Sequence, residues 1–177
     1  MRLSDTPLPG AHVVELQPLG DERGWFARTF ATEELEAHGL DARVAHMNAS
    51  YNERAGTVRG MHFQRAPHAE CKLVRCTRGA VFDAIVDLRP DSPTYLRWFG
   101  TELTAAGGRS LYVPEGMAHG FQTLEDGCEL LYAMSYHYVP EAASGVRWDD
   151  RAFGIEWPPA DARTLSERDA TWPNFAP

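Results

Sequence analysis

Arg59-Gly60-Met61-His62-Phe63-Gln64, with Lys72 one strand's length downstream, gathers the residue types that handle an anionic carbonyl compound. A histidine can take a proton, an arginine can hold an anion, and a lysine on a neighbouring strand can stabilise charge on a ketone oxygen. Singly, each has a plainer explanation. A strand histidine is most often a hydrogen-bonded packing residue, and a strand lysine often guards an edge against pairing with another chain. Arg59 and Lys72 lie in runs that otherwise look buried, however, and a buried unpaired cation is costly, so both are expected to face a polar cavity. Strict alternation puts Arg59 and His62 on opposite strand faces. A bulge at Gly60 would reconcile them.

Three more positions belong with this group. Asp83, in Val81-Phe82-Asp83-Ala84-Ile85, is an acid in a run too apolar to be solvated, and it needs a donor. His119, delivered by the turn Pro114-Glu115-Gly116, could supply one. Tyr132 lies between Leu130 and Met134 on one strand face, so its phenol is directed into a core or cavity. Tyr95, Trp98, Phe99, Tyr136 and Tyr138 are assigned to packing. Metal-binding β-barrels of this type place two histidines one residue apart. Here the second position is Gln64, which argues against a three-histidine metal site.

The elements that must position these residues read as strands. Apolar alternation marks 11–17, 43–50, 56–64, 70–78, 80–88, 95–104, 109–114, 119–124 and 128–138, with Gly, Pro, Asp or Asn at most joints. Gly20 to Gly24 predicts a hairpin turn ahead of Trp25 and Phe26. The one predicted N-terminal helix is 32–38, with Thr32 as its cap and Glu33 and Glu34 in the first turn. The tail, 148–177, predicts irregular coil with one or two helical turns. Many short strands with little helical periodicity give an all-β sandwich or barrel.

With 177 residues and 44% apolar content, one domain spanning 1–177 is expected. A net charge of −8 argues against nonspecific nucleic-acid binding, so an anionic substrate needs a local basic pocket. The N-terminus carries no leader pattern, and no apolar run approaches the roughly 20 residues that span a bilayer. The three cysteines suit a reduced compartment. A cytoplasmic protein, away from the membrane, is the expectation.

These motifs resemble the cupin-fold nucleotide-sugar epimerases typified by dTDP-4-dehydrorhamnose 3,5-epimerase. The resemblance runs through Asp21-Glu22-Arg23-Gly24, Asn48-Ala49-Ser50, Gly56 to Gln64, Lys72-Leu73-Val74-Arg75, Arg78-Gly79, Phe82-Asp83, Val86 to Arg89, Asp91 to Thr94, Pro114 to Phe121, Leu131-Tyr132 and Arg147 to Asp150. It implies a cupin-type jelly roll. It further implies His62 as the general base beside a 4-keto group, oriented by Asp169, with Lys72 stabilising the enolate and Tyr132 as the acid on the opposite ring face. Arg23, Arg28, Asn48, Arg59 and Arg168, together with the Asp83–His119 pair, become substrate contacts. The family works without metal or organic cofactor, as a homodimer whose N-terminal strands pair with the partner's sheet. Departures from the familiar pattern fall at Arg28, His46, Glu70-Cys71 and Ala143. The implied activity is inversion at C3, C5 or both of a nucleotide-linked 4-keto-6-deoxy sugar. A noncatalytic sugar-nucleotide-binding cupin and a metal-dependent cupin enzyme remain the competing readings.

Overall fold

The computed structural model describes residues 1–176. Two antiparallel sheets carry the molecule. The first runs β1 (Arg2–Asp5), β2 (His12–Glu15), β10 (Arg109–Val113), β7 (Lys72–Arg78), β12 (Cys128–Met134) and β5 (His46–Asn52). The second runs β13 (Ala143–Gly145), β6 (Val58–Gln64), β11 (Met117–Thr123), β8 (Ala80–Asp87) and β9 (Trp98–Thr104). A separate hairpin, β3 (Leu19–Asp21) with β4 (Gly24–Phe26), projects with Leu19, Trp25 and Phe26 exposed. The predicted all-β fold is the one observed.

Alternation explains how the layers meet. On β7, Val74 and Cys76 point inward; on β8, Val81 and Ile85 do so, and they meet Leu111, Phe121 and Leu130 in one buried cluster between the sheets. Phe121 is 1% exposed, and burying such a side chain contributes about 1.5–3 kcal/mol. β8 is buried on both faces because the C-terminal segment covers the outside. There Ala84 and Val86 pack with Met61, Phe153 and Trp157. The outer face of the first sheet is covered at Val14 and Tyr112 by Leu35 of α1 (Thr32–Glu36).

Several boundaries differ from the sequence expectation. Ala31, not Thr32, caps α1, without any side-chain hydrogen bond. Ala31 is buried, so packing rather than cap chemistry places the helix start. β12 stops at Met134 instead of 138, and β11 begins at Met117, two residues before the expected start. β1 and β13 were not anticipated, being too short to show a period. The coiled tail contains one helical turn, α2 (Glu167–Ala170), whose Ser166 side chain accepts from the Asp169 N–H.

β6 carries the bulge its glycine suggested. His119 of β11 pairs with His62 and Phe121 with Arg59, so three steps on β6 oppose two on β11. Gly60 sits there at φ 135°, and a Cβ on it would lie 2.5 Å from the Gly120 Cα. The extra residue returns Arg59 and His62 to one face.

Candidate active site

At one end of the sandwich the apolar core gives way to a polar cavity of about 770 Å³ between the sheets. β6 and β11 supply Arg59, His62 and His119; β7 and β12 supply Lys72 and Tyr132; β5 supplies Asn48 and Ser50. Arg168 reaches the rim from α2, its guanidinium 5.1 Å from the centre of the Trp172 ring.

His62 is half-buried, with its side chain 43% exposed. Its Nε2 lies 2.6 Å from Asp169 Oδ1, while Asp169 Oδ2 accepts the Gly60 N–H at 3.3 Å. Burial pushes the Asp169 carboxyl up, but the His62 hydrogen bond and charge and the Gly60 N–H outweigh it and hold the group below its ordinary value. An ionised Asp169 accepting from Nε2–H leaves Nδ1 with a free lone pair.

Lys72 is buried. Its Nζ donates to the His62 carbonyl at 2.9 Å and lies 3.4 Å from Glu70 Oε1. Desolvation lowers its pKa; Glu70 and Asp83 oppose that fall. Tyr132 and Ser50 share a hydrogen bond of 3.0 Å between their hydroxyls. Burial pushes the Tyr132 phenol well above its ordinary range, with Ser50 offsetting part of the rise and the Asp83 charge adding to it. The resting phenol therefore carries its proton at neutral pH and has one to give. Asp83 Oδ1 lies 2.8 Å from His119 Nε2, both buried, and the His119 ring meets Tyr132 edge-on at 6.3 Å between centroids.

Base-capable His62 and acid-capable Tyr132 thus stand on facing sheets, with Lys72 crossing between them. Facing sheets are about 10 Å apart, room for one sugar ring between two side chains. Proton removal from one face of a ring and return to the other is the chemistry this arrangement allows.

A sequence profile of dTDP-4-dehydrorhamnose 3,5-epimerase matches residues 5–177. The chain belongs to the dTDP-4-dehydrorhamnose 3,5-epimerase family. It is an isomerase fold in sequence as well as shape: it is 42% identical to the Sinorhizobium fredii dTDP-4-dehydrorhamnose 3,5-epimerase over 92% of this chain and 84% of that one. The Bacillus anthracis 3,5-epimerase, solved with TDP and pyrophosphate bound, superposes with a TM-score of 0.94 at 38% identity, covering 98% of this chain and 99% of that one. A 3'-monoepimerase from Streptomyces bikiniensis in complex with dTDP-quinovose gives a TM-score of 0.88 at 33% identity over 96% and 85% of the two chains.

Three of the expected contact residues do not line the cavity: Asp83 is fully buried against His119, and Arg23 and Arg28 lie elsewhere in this epimerase chain. Arg23 is at the hairpin tip, bound to Asp21, and Arg28 pairs with Glu33 and Glu34 beside α1. Neither arginine lines the cavity of its own chain: Arg23 is carried by the exposed hairpin and Arg28 follows its end. Tyr136 and Tyr138, assigned to packing, instead line the cavity. The signal was present, since every second residue from Leu130 to Tyr138 continues the inward face of β12. Gln64 also faces it, latching the mouth by donating to the His68 and His137 carbonyls and accepting the Val139 N–H. Among the described residues, Asp41, Cys71 and Glu115 have metal-ligand spacing, but Asp41 is already engaged by Arg43 and the group lies outside the cavity.

Proposed function

We propose that this chain epimerises a dTDP-linked 4-keto-6-deoxyhexose at C3, C5 or both, by proton removal next to the ketone and return from the opposite face. The observation that carries the reading is the placement of His62 and Tyr132 on facing sheets of one cavity. The ketone already acidifies its α-hydrogens, so the step asks for a base, an acid and stabilisation of the enolate oxygen. His62, oriented by Asp169, is the base. Tyr132 is the acid, and a positioned acid or base contributes about 10²–10⁴-fold. Lys72 stabilises the enolate oxygen, a contribution of about 3–4 kcal/mol for one well-placed donor. No cofactor has a task in this sequence of steps. His119, held from behind by the buried Asp83, contacts the sugar.

Arg59, Arg168 and Asn48 bind the sugar nucleotide at the cavity rim, giving an acidic protein the local basic pocket its substrate needs. Arg23 and Arg28 complete the site from a second subunit. The exposed Trp25 and Phe26 of the hairpin, and the open edge of β5 with exposed Met47 and Tyr51, support a homodimer in which N-terminal strands pair with the partner's sheet. The whole chain acts as one catalytic domain. Its three free, buried cysteines suit the cytoplasm, and among the described residues no helix is long and apolar enough to cross a membrane.

The test is solvent exchange in heavy water against dTDP-, GDP- and CDP-linked 4-keto-6-deoxy sugars. Deuterium is expected at C3 or C5 of the dTDP sugar with the native chain, and none with H62A. A protein that binds the dTDP sugar saturably while exchanging neither carbon is a noncatalytic binder.

A further inference from the structure

Of the 17 lysines and arginines in the chain, Lys72 is the one lysine. Everywhere else the cation is arginine, whose charge cannot be removed in a protein, whereas a buried lysine holds its proton only if its neighbours favour it. Lys72 is buried, so its charge is a local question. The charged and titratable groups around it are Glu70, entering β7; Asp83 from β8, paired with His119 of β11; His62 from β6; and Tyr132 from β12.

Glu70 is itself buried, its side chain 4% exposed. Oε1 is 3.4 Å from Lys72 Nζ, and Oε2 has no hydrogen-bond partner at all. A neutral amide would fit that place with less desolvation cost, so a carboxylate there is explained by its charge rather than by its hydrogen bonds. Asp83 Oδ1 is paired with His119 while its Oδ2, like Glu70 Oε2, has no hydrogen-bond partner, but of the two carboxylates only Glu70 comes within 4.0 Å of Lys72 Nζ, so Glu70 is the nearest anion to answer Lys72.

We propose that Glu70 is a positioning residue that keeps the Lys72 ammonium charged and tethered beside His62. The pair is close to neutral as a unit, so Lys72 presents a donor to developing negative charge without gathering bulk anions. The catalytic part of this role rests on the epimerase reading. The electrostatic part does not.

Because the chain has a single lysine, protein made with lysine carrying ¹³C at Cε gives one lysine signal, and its titration reads Lys72 alone. An anion within about 4–6 Å favours the charged form by roughly 1–3 pH units, so the E70Q midpoint is expected at least about one unit below the native one, with E70D between them. Coincident midpoints in native and E70Q protein overturn the proposal. If E70Q does not fold, E70D decides, an unmoved midpoint again overturning it. In the exchange assay, the alkaline limb of kcat should move down in step with the NMR midpoint while KM changes little, and E70D should restore part of it. An E70Q shift in a protein that exchanges no sugar proton leaves this proposal standing and removes the epimerase reading instead.

Discussion

His62 Nε2 and Asp169 Oδ1 stand 2.6 Å apart although 107 residues separate them in the chain. The tail returns as the Ser166-capped turn of α2, and the same carboxylate accepts the Gly60 N–H, so one residue holds both the imidazole and the bulge that aims it. Replacing the carboxylate that orients a catalytic histidine by its amide costs about 10⁴-fold in kcat where it sets the tautomer. D169N is therefore expected to lower kcat for C3 or C5 exchange by about that factor with KM within a few-fold. An unchanged kcat would show that His62 needs no orientation from the tail.

Tyr132 separates exchange from inversion. In Y132F the base and the enolate-stabilising lysine are intact, so proton loss from the sugar continues, while the donor on the other face is gone. Wash-in of deuterium with retention should persist, and inverted product should fall by about 10²–10⁴-fold, the range for a positioned acid. Parallel NMR assays of label and stereochemistry separate the two. Equal losses in both would place Tyr132 in binding or packing.

The Gly60–Gly120 contact limits what β6 tolerates. G60A would put a Cβ 2.5 Å from the Gly120 Cα at a φ of 135°, combining a backbone clash with a conformation L-residues rarely adopt. A loss of about 3 kcal/mol or more is expected in urea unfolding, together with lost activity as His62 leaves the cavity face. Native stability in G60A would mean the strand accommodates the extra atom by shifting.

Asp87 gives a pH dependence with a definite sign. It is fully buried and accepts from the Arg89 guanidinium, Ser92 Oγ and Thr94 Oγ1. Burial pushes its carboxyl up, but those hydrogen bonds outweigh burial and hold it at about 2. A folded value below the unfolded one means stability present above about pH 4 and lost as pH falls toward the folded value, on the order of 2 kcal/mol. D87N should cost at least that much at neutral pH, and the gap from the native protein should narrow on acidification below about pH 4. A gap constant with pH would assign the cost to packing.

Local pattern revealed much of this molecule before any contact was known. A two-residue period needs only neighbours in sequence, so Lys72, Val74 and Cys76, or Leu130 and Tyr132, could be assigned to one inward face directly. The glycine at position 60 pointed to a bulge for a similar reason: it is the residue that allows two backbones to approach. Failures were also physical. Ala31 starts α1 through burial rather than cap chemistry, and β1 and β13 are too short for a period to register. Tyr136 and Tyr138 line the cavity, and the expected strand 128–138 already puts them on the face of Tyr132; an aromatic on an inward face serves packing and cavity alike, and alternation does not tell the two apart.

What the sequence by itself determined was the inventory and its faces: a base, a cation and a phenol on strands turned inward, in a family whose motifs span nearly the whole chain. Only the tertiary structure decided that His62 and Tyr132 oppose each other from two sheets, that Glu70 answers the single lysine, and that Arg23 lies outside its own chain's cavity. Pairing register and the return of the tail depend on contacts between residues tens to a hundred positions apart. No local period encodes them, and on those contacts the Arg59–Gln64 stretch depends for its base.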